Sequence, residues 1–183
     1  MASVIVRGTK WVEVLAASLQ SSARIIADSR RSGGRLFWWG SGGQIAACQT
    51  GMADLEHCLS TTGCHPQPQF IPLRTVNIPH PDLLTLIALP IKRDSQPGDV
   101  FVGVFSCERQ RDVQEMIDRV RAVGVRTVIV SINDYNPISA DAAIYAASTD
   151  RPPIGKVDVQ FILQSLGGMV ERELDSASEQ PAP

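Results

Sequence analysis

The chain has 183 residues, 44% of them hydrophobic, 20% charged and 5% aromatic, the size and composition of one soluble globular domain. A chain of this length buries about 70% of its unfolded surface, so it needs neither disulfides nor a structural metal to hold a core. With 17 Lys+Arg against 19 Asp+Glu, the formal net charge of −2 excludes a polycationic nucleic-acid binder and offers nothing to an anionic membrane surface.

No apolar run reaches the ~18 residues of a membrane-spanning helix. Met1 to Lys10 has neither an apolar h-region nor a cleavage pattern, so no secretory signal is read there and a cytoplasmic protein is expected. Cys48, Cys58, Cys64 and Cys107 form no C-x-x-C pair, and free thiols fit a reducing compartment.

Residues 9 to 31 carry Trp11, Leu15, Leu19, Ser22 and Ile26 at helical spacing, with Arg24, Arg30 and Arg31 towards the end where the helix dipole favours cations. Gly33-Gly34 stops that helix. Arg35 to Trp39 is a short, bulky apolar run that reads as a buried strand, with Trp38 and Trp39 on opposite faces. Gly40-Ser41-Gly42-Gly43 follows at once, then a helical stretch from Gln44 to about Leu59. Residues 60 to 82 are interrupted by prolines, with a short strand expected within Phe70 to Val76. Leu83 to Ile91 is apolar and reads equally as helix or strand.

The second half is clearer. Gln96-Pro97-Gly98-Asp99 is a turn, and Val100 to Phe105 is a continuous apolar run, as a strand covered on both faces requires. Arg109 to Gly124 is a helix, Val125 to Ile132 a strand, and Ala142 to Ala147 a short strand. Val157 to Leu174 is a final helix with Val159, Ile162, Leu163, Leu166, Val170 and Leu174 in phase. Residues 1 to 175 are expected to form one domain, and Ser176 to Pro183 has the composition of a disordered tail. Alternating strands and helices predict an α/β fold with a parallel sheet covered on both faces. Ligands of such sheets lie beyond the carboxyl ends of the strands. That directs attention to the loops Gly40–Gln44, Ser106–Arg109 and Asn133–Asn136.

Gly40-Ser41-Gly42-Gly43-Gln44 is the sharpest local signal. It leaves a buried strand and enters a helix, so its backbone N–H groups can approach an anion such as phosphate. The plain alternative is a tight strand-to-helix turn with no ligand. The loop is no dinucleotide fingerprint, since Ile45 stands where G-x-G-x-x-G needs glycine, and it lacks the Gly-Lys-Ser/Thr ending of a Walker A loop.

The segment from Leu36-Phe37-Trp38-Trp39-Gly40-Ser41-Gly42-Gly43 through Cys48-Gln49-Thr50-Gly51-Met52-Ala53-Asp54-Leu55 resembles the first βα unit of sugar isomerase (SIS) domains, most closely the phosphoheptose isomerase branch. Gly98 to Ser106 is similar to the strand that leads into that family's serine-rich phosphate loop. The last helix, ending Val170-Glu171-Arg172-Glu173-Leu174, resembles the family's C-terminal helix. The resemblance runs over about residues 9 to 174 and rests on the order and spacing of these segments. It implies a three-layer, flavodoxin-like fold with a mainly parallel five-stranded sheet and helices on both faces. It also implies a phosphorylated sugar as ligand, no cofactor, and a homodimer or homotetramer.

The departures bear on function. The family's phosphate loop reads close to Ser-x-Ser-Gly-x-Ser. Phe105, Ser106, Cys107, Glu108, Arg109 and Gln110 stand there instead. Glu108 brings a charge that repels phosphate, and Arg109 and Arg111 oppose it. Gln44 replaces a serine that often follows the glycine cluster. The family's His–Glu pair on the second helix and its Gln and His near the last helix align with Thr50, Asp54, Lys156 and Gln164. Moving a proton alpha to a carbonyl needs a base, and Asp54 is the one candidate left in that set. Thr, Lys and Gln are poor zinc ligands, so no metal is expected at those positions.

The resemblance therefore implies a phosphosugar-binding protein without the usual acid/base residues. Its alternatives are an isomerase with altered catalytic residues and an oligomeric scaffold that binds nothing. Asp54 reads as a catalytic carboxylate only through its position; a carboxylate on a helix is otherwise a solvated or capping group. Cys107, beside Arg109, is either a reactive thiol or a small packing residue. His57, Cys58, Cys64 and His65 lie close together but match no common zinc spacing. Gly167-Gly168, costly inside a helix, suggests close helix packing or a kink.

Overall fold

The computed structural model describes residues 2–40, 44–61, 70–73, 82–106, 108–132, 138–145 and 156–178. Five strands form one sheet: β1 (Leu36–Gly40), β2 (Phe70–Pro72), β3 (Val100–Phe105), β4 (Arg126–Ser131) and β5 (Ala142–Tyr145), in the spatial order β2-β1-β3-β4-β5. Every neighbouring pair is parallel, with Leu36 opposite Val100 and Val100 opposite Arg126. The helices are α1 (Ala2–Arg31), α2 (Ile45–Thr61), α3 (Leu89–Asp94), α4 (Gln110–Arg121) and α5 (Lys156–Ser178).

The two sheet faces explain the uninterrupted apolar strands. On one face Leu36, Trp38, Val100, Val102, Val104, Val128 and Val130 pack under α1, α2 and α5. On the other, Phe37, Trp39, Phe101, Phe105 and Ile129 pack under α3 and the Val113, Met116, Ile117 and Val120 stripe of α4. Strand alternation thus sends Trp38 and Trp39 to opposite layers, and Trp39 meets Phe105 with ring centroids 5.1 Å apart. This is the three-layer arrangement expected, with five strands.

Several bounds differ from the sequence reading. Helix α1 begins at Ala2, and α5 runs on to Ser178, three residues into the stretch read as a tail. The ambiguous run 83–91 is helical: a wide π turn over Leu84–Ala88 passes into α3. Pro90 stands in the first turn of α3, where its missing N–H is tolerated. The preceding wide turn makes room for its ring.

Two devices join the chain at the amino ends of the strands. Helix α1 stops at Gly33, whose φ of 76° is open to glycine. The N–H groups of Gly33 and Gly34 bond back to the Arg30 and Ser29 carbonyls at 3.0 and 2.8 Å, a Schellman termination. Asp99, 1% exposed, then accepts from the N–H groups of Arg35 (2.7 Å) and Gln96 (2.8 Å) and from the Arg35 guanidinium (2.8 Å). One buried carboxylate thereby ties the start of β1 to the turn before β3. Breaking such a pair from one side is costly because a charge is left behind.

Within the chain, Gly167-Gly168 is not the tight point between helices. A Cβ on Gly168 would meet nothing within 4 Å, and one on Gly167 would make ordinary contact with Leu55. Gly51 of α2 is the tight point: a Cβ there would lie 2.6 Å from Leu163 Cβ on α5. Gly51→Ala is therefore expected to push α2 from α5 and to destabilise the fold by about 1–3 kcal/mol, read as a lower urea midpoint with an unchanged slope.

Candidate functional site

The chain leaves β1, forms β2 on one side, and returns to place β3 on the other. That reversal is a topological switch point, where the loops after two adjacent strands part and leave a crevice at the carboxyl edge of the sheet. The switch point lies between the ends of β1 and β3. These are the ends that open into the two loops singled out from sequence, Gly40–Gln44 and Ser106–Arg109.

Gly40 is the last residue of β1 and pairs with Val104. A Cβ on Gly40 would lie 2.7 Å from Cys48 Cβ and 3.0 Å from its Sγ, so glycine lets α2 seat directly against the strand end. Cys48 is the packing partner there, and burial pushes its thiol from 9.0 up to about 12. The Gln44 carbonyl oxygen would be 3.7 Å from the same Cβ, which sets Gln44 over the end of β1. Gln44 is 9% exposed, and its side-chain Oε1 is buried with no hydrogen-bond partner among the described residues. A buried amide oxygen without a donor is costly. Ser41, Gly42 and Gly43 lie outside the described residues.

The β3 loop is organised by one peptide group. The Phe105 carbonyl accepts from Ile132 N–H at 3.1 Å, so it points towards β4. In a trans peptide the N–H points the opposite way, and the Ser106 N–H therefore faces the β1 side, past the Gly40–Val104 pair. Glu108 turns back to it: Glu108 Oε2 accepts from Ser106 N–H at 2.9 Å, and the residue is 2% exposed. From the sequence, Glu108 is expected to bring a charge that repels phosphate, opposed by Arg109 and Arg111. The structure folds its carboxylate into the loop. The signal that could have found this is a carboxylate two residues past a central strand's end. Arg109 is exposed and precedes α4 in extended conformation (φ −71°, ψ 130°) without capping it through its side chain. Cys107 and the loop 133–137 lie outside the described residues.

Asp54 is set apart from these loops. It stands ten residues after Gln44, about 15 Å along the α2 axis at the usual helical rise. There its Oδ2 accepts from Gln164 Nε2 of α5 at 3.2 Å. Thr50 donates its hydroxyl to the Ala46 carbonyl of its own helix at 3.0 Å. Of the four positions that the resemblance groups together, the structure thus joins Asp54 and Gln164. The Lys156 side chain, like those of Cys58, Cys64 and His65, lies outside the described residues. Among the described residues no three His, Cys, Asp or Glu side chains cluster as a metal site would require, and no helix is long and apolar enough to cross a membrane.

A groove of about 500 Å³ lies away from the strand ends. It runs between α1 and α5, lined by Val12, Leu15, Leu19, Phe161, Gln164 and Met169 among others. Its lining is mainly apolar and groups no nucleophile with a base.

No family model matches the sequence, and none of the curated proteins does. Solved structures do match. A phosphoheptose isomerase from Neisseria gonorrhoeae superposes with a TM-score of 0.60 at 14% identity, over 96% of this chain and 94% of that one. The sugar isomerase domain of an RpiR transcription factor from Sphaerobacter thermophilus gives 0.53 at 16% identity, over 96% and 93%. The Vibrio vulnificus NanR protein complexed with ManNAc-6P gives 0.51 at 19% identity, over 95% and 62%. The chain has the fold of the sugar isomerase domains, as the resemblance implied.

The position of Cys48 makes a prediction about reactivity. Its thiolate is disfavoured in the folded protein up to about pH 12. Peptide mapping after iodoacetamide treatment at pH 8 is expected to find Cys48 unmodified in native protein and alkylated after unfolding. The same shift adds stability that is fully present below about pH 9, where the unfolded thiol titrates, and is lost as pH rises towards 12.

Proposed function

We propose that this chain is a divergent sugar isomerase-domain protein that binds a phosphorylated sugar in the crevice between the ends of β1 and β3. In this reading it holds the ligand without the usual isomerase acid/base residues. The observation that carries the reading is the Gln44 Oε1 at the end of β1, buried and without a donor among the described residues. A sugar hydroxyl is the donor such an oxygen lacks, and the α2 N-terminus beside it favours a negative group. The likeness to phosphoheptose isomerases and to a protein complexed with ManNAc-6P supports the ligand class.

The missing chemistry supports binding over turnover. At the positions where the family's proton-transfer residues align, Thr50 spends its hydroxyl on its own helix and Gln164 is an amide. Asp54 keeps a second reading alive, since Gln164 orients its carboxylate and a single base can move a proton. Under that reading the protein is an aldose–ketose isomerase of sugar phosphates. Self-association is part of either reading. The exposed Val12, Val14 and Phe161 beside the α1–α5 groove are the apolar surface that a homodimer or homotetramer would cover.

A thermal-shift panel of sugar phosphates, free sugars and inorganic phosphate tests the reading. A ligand at about 100 times its Kd stabilises by about 2.7 kcal/mol, a rise in Tm of roughly 5–10 °C for a chain of this size. The rise is expected with a phosphosugar and not with the corresponding free sugar; a flat panel removes the reading. Gln44→Leu deletes the donor-less oxygen, so the free protein should melt roughly 2–4 °C higher while the phosphosugar binds about tenfold more weakly. Turnover that disappears in Asp54→Asn would instead establish the isomerase.

A further inference from the structure

The binding reading leaves open how this crevice treats the charge of its ligand, and two of its buried groups bear on that. The Ser106 N–H is turned past the end of β1 by the peptide it shares with Phe105. A negative group settles naturally on such an N–H at the junction of a strand end and a helix start. In this chain the negative group is internal: Glu108 Oε2 lies 2.9 Å from Ser106 N, in a residue 2% exposed. Burying a carboxylate is unfavourable unless donors are aimed at it, so the bond marks a place where the loop holds an anion. The second group is Gln44 Oε1 on the β1 side, buried and without a donor among the described residues. Among the described residues, the two strand ends thus carry one unpartnered buried acceptor, at Gln44, and one N–H already bonded to a carboxylate, at Ser106.

We propose that Glu108 is a specificity-determining residue that competes with the ligand's anionic group for the Ser106 N–H. This rests on the phosphosugar reading of the same crevice. A phosphate reaches that N–H only by displacing Glu108, because a carboxylate and a phosphate held a few ångströms apart in a desolvated crevice repel strongly. Inorganic phosphate brings only its own P–OH, whereas a sugar adds hydroxyls remote from the anion, so the bare anion has less to set against that repulsion. A phosphosugar has more, since its hydroxyls supply the donor that Gln44 lacks. Glu108 thus makes the site select a complete phosphosugar over the bare anion.

The test is calorimetric titration of inorganic phosphate, and of the phosphosugar giving the largest thermal shift, into the native protein, Glu108→Gln and Glu108→Ala. Circular dichroism checks that each variant is folded. Glutamine keeps an acceptor for the Ser106 N–H and removes the charge; alanine removes both. Both variants are expected to bind inorganic phosphate about tenfold or more tightly than the native protein. The native preference for phosphosugar over phosphate should shrink accordingly. Equal or weaker phosphate binding in both variants overturns the proposal, and so does loss of fold in both, which would assign Glu108 to stability alone. The two readings fail separately. If the variants gain inorganic phosphate while no phosphosugar binds any of the proteins, the competition between Glu108 and the anion stands, and the selection of a phosphosugar falls together with the phosphosugar reading. If a phosphosugar binds all three equally, the ligand class stands and the competition falls.

Discussion

The register between two neighbouring parallel strands governs this molecule's candidate site. Strand β1 reaches its last partner at Gly40, opposite Val104, while β3 continues through Phe105. The Phe105 carbonyl is committed to Ile132 beyond β4. The next N–H must then face the side that β1 has already left. A polar group turned into such a gap requires an acceptor, and Glu108 is the acceptor this chain supplies. The inward turn of Glu108 follows from that offset in strand length.

The rest of the fold holds this edge in place. Both sheet faces are apolar and fully covered, so the strand ends are carried on a rigid platform. At the far edge Asp99 binds the starts of β1 and β3 together through two N–H groups and a guanidinium. At the near edge Gly40 admits Cys48, and Gly51 admits Leu163, which brings α2 tightly onto β1 and α5. The position of Gln44 is thus set by contacts on both sides of α2. A residue held that firmly can keep a buried acceptor without a partner; in a mobile loop it would turn to solvent.

Much of this was legible in the sequence. The apolar run Val100–Phe105 could only be a strand covered on two faces, and the phased apolar residues of 159–174 could only be a helix stripe. The glycine-rich exit from Trp38-Trp39 placed a strand end and a helix start within a few residues. What escaped was set by tertiary geometry. Leu83–Ile91 was too short and apolar to choose its own state, and Pro90 hid its helical character until packing against α4 decided it. The Ser106 N–H partner of Glu108 was not legible because it depends on which way one peptide faces, a consequence of strand register. Gln44 was singled out as part of the glycine loop, but the burial of its side-chain oxygen was not legible, because burial of a polar side chain leaves no mark on its neighbours in sequence. Gly51 was unremarkable beside the more conspicuous Gly167-Gly168 pair, yet it makes the close approach.

The most direct test of the central claim is an amide NMR titration of the native protein with the sugar phosphates, following the Ser106 backbone amide and the Gln44 side-chain amide. A phosphosugar bound at the switch point should move both signals together along one saturable curve, Ser106 as Glu108 gives way and Gln44 as its oxygen gains a donor. Saturable binding that leaves both signals unmoved would place the ligand elsewhere and contradict the account.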